Sequence, residues 1–375
     1  MPLTLVIAMR NLFQDRLRFI ATIIGIVFSI VLVTVQLGLF LGFERMVTTM
    51  INHAPADLWV VPLGTKCFED PSLMDGSNRR KAMSVQGVAD AVPMVIGFTQ
   101  WDVPQGGVTP VIVIGSSGAG LRPWNVVQGD LADLAKPPAV AVDKTYFSRL
   151  GIDAIGEDTT IRERDVRVSV VTDGIRSFTT TPYIFTTLDR AQAYIGTSSK
   201  KISYLLVHVS QGQDVDRIRT SLLAKLKNVE VLTPAQFSDR SRVFWLFGTG
   251  AGAALFAGAL LGAIVGTIIV AQTLYSSTKD HLSEFVTLRA IGSSSLYIYK
   301  VIGMQAILSA VIGFFLAALI ALGAVLATQE TALPILMTTR MTLGLFLLTV
   351  LMCMVSAVAA IVQVTRIEPA SAFRQ

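Results

Sequence analysis

The sequence holds no GxxxxGK[ST] segment, so it lacks the glycine-rich loop and lysine that cradle nucleotide phosphates. The glycine-rich run GTGAGAALFAG (248–258) fails the same test for want of a lysine. Metal ligation is poorly provided for. His53, His208 and His281 are scattered, no HExxH occurs, and Cys67 and Cys353 show no paired Cys/His spacing. GSSGAG (115–120) is not the GxSxG elbow of a serine nucleophile and reads as a loop. Two cysteines do not build a disulfide framework. Cys353 lies inside an apolar run, and Cys67 reads as either a lone thiol or a small buried apolar side chain. Charge is also scarce: 15% of residues are charged, against about a quarter in soluble domains.

What the chain has instead is apolar length. Mean hydropathy is +0.59, and the apolar residues gather in four blocks. The first runs Leu17 to Phe43, LRFIATIIGIVFSIVLVTVQLGLFLGF, without a charge after Arg18. The others cover about Val243–Tyr275, Val301–Ala327 and Met341–Val364. Each can cross a hydrocarbon core of ~30 Å. The first block exceeds the ~7–15-residue core of a signal peptide, so it is expected to stay as a membrane helix. Its outer end, Glu44 to Met50, and the segment Ser238 to Trp245 either continue as stalk helices or belong to tilted spans.

Four spans place both termini on one side. The basic residues of the short segments, Arg10, Arg16, Arg18, Lys279, Arg289, Lys300, Arg366 and Arg374, mark that side as cytoplasmic, and the short loop from Thr328 to Thr339 has neither Lys nor Arg. The net charge of +5 is therefore mostly a topology signal, and no nucleic-acid partner is expected. The boundaries expected are an N-terminal helix and first span over 1–46, an α/β periplasmic domain over 47–240, a second span over 241–275, a cytoplasmic coupling loop over 276–300, and spans three and four over 301–375.

Within the middle domain, DLWVV (57–61), TPVIVIG (109–115), AVAV (139–142), VRVSVVT (166–172), SYLLVHV (203–209) and NVEVLT (228–233) read as strands. Val215, Ile218, Leu222, Leu223 and Leu226 recur at helical spacing. No Asp, Glu, Lys or Arg lies in the middle of a span, which argues against an ion-coupled carrier. Gly250, Ala254, Gly258, Gly262 and Gly266 recur every fourth residue in the second span. Such a stripe lets backbones approach closely, either at a homodimer seam or against another helix of the same chain. After that span, Leu282, Phe285, Val286, Leu288 and Ile291 recur at three- and four-residue spacing. They predict a short amphipathic helix on the membrane surface, stopped at Gly292.

Three segments together resemble one family. LVIAMRNLFQDRLRFIATIIGIVFSIVLV (5–33) is similar to the lead and first helix of FtsX-like and MacB-type ABC permeases. STKDHLSEFVTLRAIGSSSLYIYKVIGMQAI (277–307) resembles the family's LRAIG stretch, with Gln305 where many relatives carry an acid. RIEPASAFR (366–374) resembles its C-terminal ending, while QLGL (36–39) and IGFTQWDVPQGGVTPVIVIG (96–115) look most like the DevC subgroup.

The resemblance implies an integral membrane α-helical protein with four transmembrane helices and a large α/β extracytoplasmic domain. That domain would have a Porter-like part (about 48–115 and 197–238) and a Sabre-like part (about 116–196). It implies a homodimeric type VII permease in a bacterial inner membrane, without enzymatic activity or a cofactor of its own. ATP and Mg would bind on a separate cognate ATPase. That ATPase would dock on Lys279, Asp280, Glu284, Leu288, Arg289, Ala290, Ile291 and Gly292. The implied activity is export of an amphiphile, lipid or small molecule by mechanotransmission, in contact with membrane lipids, with a periplasmic adaptor and a TolC-like outer-membrane protein as further partners. The alternatives are an FtsX-like regulator of a periplasmic hydrolase, a lipoprotein-releasing permease like LolC and LolE, and a receptor-like sensor.

Overall fold

The computed structural model of the protein describes residues 3–14, 16–70, 72–280, 295–331 and 333–365. They fall into two compact units. One draws on Met1–Leu41, Ala253–Gln329 and Pro334–Gln375, the other on Gly42–Gly252 with Glu330–Leu333.

The chain starts with helices α1 (Leu3–Gln14) and α2 (Arg16–His53). Then come β1 (Leu58–Pro62), β2 (Met74–Asp75), α3 (Asn78–Met83), β3 (Val88–Asp102), β4 (Val108–Ser116) and β5 (Val126–Gln128). β6 (Ala139–Asp143), α4 (Phe147–Leu150), β7 (Asp158–Ile161), β8 (Arg164–Thr172), β9 (Tyr183–Thr187) and α5 (Leu188–Ile195) follow. The outer unit closes with β10 (Lys201–Ile202), β11 (Tyr204–Val209), α6 (Val215–Lys225), β12 (Val229–Leu232) and α7 (Pro234–Val243). Three long helices complete the described chain: α8 (Ala251–Asp280), α9 (Ser295–Thr328) and α10 (Thr339–Thr365).

In the helical unit, four helices among the described residues are long and apolar enough to span a membrane: α2, α8, α9 and α10. Their core joins Ile26, Ile30 and Val33 of α2 to Val270 of α8, Ala306, Ala310 and Phe314 of α9, and Met352 and Cys353 of α10. Small residues let these helices close up, as where Gly313 faces Ile26. The other faces are just as apolar yet exposed, with Phe28, Phe256, Leu261, Phe315, Leu319, Leu347 and Leu351 uncovered. Helices that are apolar all round need a hydrocarbon surrounding.

The outer unit is built on a ten-stranded sheet among the described residues. Its order is β12-β1-β11-β3-β4-β9-β6-β8-β5, with β7 pairing β3 and β8. β4–β9 and β6–β8 are parallel pairs, and the rest are antiparallel. The β3–β4 hairpin turns through Gly106 and Gly107, both at positive φ (+106° and +93°), a region open to glycine. Alternation along the strands feeds two sides. Trp59, Val61, Ile112 and Ile114 enter one core with Phe68, Tyr183, Tyr204 and Phe237. Leu58 and Val60 meet Ile218 and Leu222 of α6 on the other side, and Val111 and Val113 meet Ala191 and Tyr194 of α5.

Every strand expected in the middle domain is present, and the helical spacing after Val215 becomes α6, capped by the Asp214 side chain. Sequence reading missed β3, which runs through Pro93 and Gly97, and β9, both central to the sheet. The outer unit begins at Gly42 and runs to Gly252, wider than the expected 47–240. The second span needs correcting: residues 241–250 are not part of it. α7 ends at Val243, a π-turn covers Phe244–Gly248, and α8 starts only at Ala251. The break sits at Gly250, whose φ of +76° is left-handed and cannot continue an α-helix. Cys67 is buried, and burial pushes its thiol up to about 12, which favours the buried apolar reading over a reactive thiol.

Candidate functional site

Two arrangements stand out as mechanical parts. The first is the α2–α8 pair in the helical unit. These helices run antiparallel and stay in register over many turns. Arg18 Nη1 donates to Ser276 O at 3.3 Å near one end. Further along, Gly25 faces Ile269, Leu32 and Val33 face Gly262, and Gln36 faces Gly258. Ser29 lies against Gly266, and its hydroxyl donates to Gly262 O at 2.7 Å. A Cβ added at Gly262 would lie 3.1 Å from Leu32 Cδ2 and 3.3 Å from Val33 Cγ2. Without side chains there, the backbones come within hydrogen-bonding reach of a serine.

The small-residue stripe is therefore used within the chain at Gly258, Gly262 and Gly266. Ala254 and Gly250 do not belong to it: Ala254 is exposed and Gly250 precedes the helix. The reason is geometric. With 3.6 residues per turn, each four-residue step turns about 40° further round the axis. Four such steps, from 250 to 266, cannot keep to one face.

The second arrangement lies in the outer unit, where the last turns of α2 meet α7 and the π-turn. Arg242 Nε pairs with Glu44 at 3.0 Å, and Ser238 Oγ donates to Asn52 Oδ1 at 3.1 Å. Both members of the ion pair are about one-third exposed, so the pair aligns more than it stabilises, at about 0–1 kcal/mol. Phe43 packs edge-on against Phe178 at 5.0 Å between centroids, and Phe178 packs on Trp245 at 4.3 Å. Trp245 Nε1 donates to Glu69 Oε2 at 3.1 Å, and Tyr183 OH donates to Glu69 Oε1 at 2.9 Å. Glu69 is buried, and desolvation raises its carboxyl from the ordinary 4.5 to about 6, partly offset by those hydrogen bonds. The Tyr204 hydroxyl anchors the same loop on the carbonyls of Phe68 (2.8 Å) and Asp70 (3.0 Å). Sequence reasoning missed this group, because Glu69, Tyr183 and Trp245 are far apart in the chain and share no motif.

The expected docking residues fare differently. Lys279 is exposed and Asp280 is the last residue of α8. Glu284, Leu288, Arg289, Ala290, Ile291 and Gly292 lie outside the described residues, as does the RIEPASAFR ending. Among the described residues no group of three or more His, Cys, Asp or Glu side chains is placed to hold a metal ion.

Comparison with known proteins decides the family. Residues 19–225 match the family model of the MacB-like periplasmic core domain. Residues 239–369 match that of the FtsX-like permease C-terminal region. The chain belongs to the type VII ABC permease family. Permeases of this family are components of ABC transporters and work with a cognate ABC ATPase. Two solved structures are similar to about half of this permease. The periplasmic region of MacB from Actinobacillus actinomycetemcomitans is 12% identical with a TM-score of 0.39, covering 50% of this chain and 94% of that one. The extracellular domain of the noncanonic ABC-type transporter YknZ from Gram-positive bacteria is 13% identical with a TM-score of 0.34, covering 48% and 99%. A comparison with curated proteins gives no match.

Proposed function

We propose that this permease works as a homodimer in a bacterial inner membrane, with both termini cytoplasmic. A separate ATPase, which binds ATP and Mg, docks on the segment from Lys279 to Gly292 and drives motion of the outer unit by mechanotransmission. The exported substrate is an amphiphile, lipid or small molecule. A periplasmic adaptor and a TolC-like outer-membrane protein continue its path, as in DevC-type relatives. The single observation that carries the reading is α2, one unbroken helix of 38 residues. Crossing the membrane needs only ~20 residues, and a helix almost twice that length can carry displacement as a rod. The absence of charge inside its span also removes the usual means of coupling transport to ions.

The test is to break the rod at Leu41. Proline there removes an intrahelical hydrogen bond and costs about 3 kcal/mol or more locally. Spin labels at the exposed Lys227 of both copies report the distance between outer units with and without ATP and vanadate. In wild type that distance changes with nucleotide, and in Leu41→Pro the change is lost while the ATPase still co-purifies. A wild-type distance that ignores nucleotide would reject mechanotransmission.

A further inference from the structure

Glu69 is an expensive residue to keep. It is 4% exposed, and the groups that hydrogen-bond to it, Tyr183 OH and Trp245 Nε1 together with the Cys67 thiol and a backbone N–H, are all neutral. A buried carboxylate without a cation costs free energy, and groups held at such a cost are candidates for function. Its position gives the reason. Trp245 lies in the π-turn Phe244–Gly248, just before the left-handed Gly250 and the start of α8. Tyr183 opens β9, in the middle of the sheet. Phe178, on the connection into β9, packs at a tilt against Trp245 and also touches Phe43 of α2. One carboxylate thus joins the turn before α8 to the sheet, and one aromatic chain adds α2 to the same joint.

We propose that Glu69 is the positioning residue of a clasp that fastens the turn preceding α8 to β9, delivers a pull on that turn to the sheet, and locks shut when Glu69 takes up a proton. The delivery of a pull rests on the transmission reading above, whereas the clasp and its lock do not. The titratable groups around Glu69 are Cys67 and Asp70 on its own loop, Tyr183 on β9 and Tyr204 on β11, with Tyr146 beyond Tyr183. Lys66 is turned to the Phe244 ring, its Nζ 5.9 Å from the centroid. The cysteine and the tyrosines are pushed upward by burial, so they stay protonated at neutral pH and Glu69 is the group that changes. With the clasp closed, burial holds the Glu69 carboxyl at about 6, against an ordinary 4.5 when solvated. The closed form therefore binds the proton more tightly, and acid favours closure. The full span corresponds to about a thirtyfold change in the closed-to-open ratio.

Hydrogen exchange on the full-length permease in lipid nanodiscs tests this between pH 4.5 and 7.5. Protection of residues 244–250, corrected for intrinsic exchange, is expected to rise on acidification towards about thirtyfold in wild type. Glu69→Gln, which mimics the protonated acid, should be high and flat with pH. Trp245→Phe keeps the ring but loses the Nε1–H donor, and should be low with a weakened pH response. A wild-type turn indifferent to pH, or a Glu69→Gln turn with the wild-type response, would overturn the clasp. Repeating the measurement with the ATPase, ATP and vanadate separates the two claims. A pH response without any nucleotide response keeps the clasp and its lock and sinks the transmission.

Discussion

Gly262 is the position where a single side chain should do most harm to the paired helices. Its virtual Cβ lies 3.1 Å from Leu32 Cδ2, 3.3 Å from Leu32 Cγ and 3.3 Å from Val33 Cγ2. Alanine can be fitted by a small shift of the flexible Leu32 end. Leucine cannot, because three further carbons must enter space already filled by Leu32 and Val33, and the helices must part. Overpacking of this kind costs about 1–3 kcal/mol. Parting the helices also stretches the 2.7 Å hydrogen bond from Ser29 to Gly262 O, worth about 0.6 kcal/mol in a membrane bundle. Gly262→Leu should therefore lose about 2–3 kcal/mol in a denaturant titration of the purified full chain, and Gly262→Ala less than about 1 kcal/mol. Ala254→Leu is the control: Ala254 is exposed, and the change should stay within about 0.5 kcal/mol of wild type. If Gly262→Leu titrates like wild type, or Ala254→Leu is the more damaging of the two, the close α2–α8 contact is not where we place it.

Other outcomes follow from the same geometry. Gly25→Cys with Ile269→Cys puts Cβ atoms about 3.4 Å apart, near the disulfide range of about 3.5–4.5 Å; oxidation should crosslink within one chain, and a dimer band on a non-reducing gel would move the seam between copies. Glu284→Arg and Arg289→Glu should each lower recovery of the cognate ATPase in co-purification while leaving membrane insertion intact, and equal recovery would remove this segment from docking. Glu69 has a folded value of about 6, above the ordinary 4.5, so its ionisation destabilises the fold. The penalty is absent below 4.5, grows as pH rises through about 6, and reaches about 2 kcal/mol. Thermal unfolding of Glu69→Gln should accordingly exceed wild type above pH 7 and converge with it near pH 4.5.

The membrane helices were legible because lipid demands long apolar runs, and such runs need no tertiary information to be seen. β1, β4, β6, β8 and β11 were legible for the same reason, being short and strongly apolar. β3 was not, since Pro93, Gly97 and the polar Thr99 and Gln100 break its pattern, while its strand state comes from pairing with both β11 and β4. The small-residue stripe was half legible. Spacing found Gly258, Gly262 and Gly266 but could not show where a four-residue period leaves the face, nor that Gly250 ends a turn. Glu69 was invisible, because its meaning depends on Tyr183 and Trp245, which only the folded sheet brings to it.

The shared sheet has a consequence for dissecting the outer unit. Strands on both sides of the boundary expected near residue 116 sit in one sheet, joined where Ile112–Ser116 of β4 pairs with Tyr183–Thr187 of β9 and where Trp101 and Asp102 of β3 pair with β7. Excising residues 116–196 as if they were a detachable cassette would strip a whole flank of β4. It would leave bare the backbone groups now bonded to β9 and uncover Val111 and Val113. A strand edge of that kind recruits other chains. Swapping residues 116–196 between relatives would have to carry the matching β3–β4 hairpin with it, so the unit of exchange in this permease is larger than the insertion that sequence boundaries would suggest.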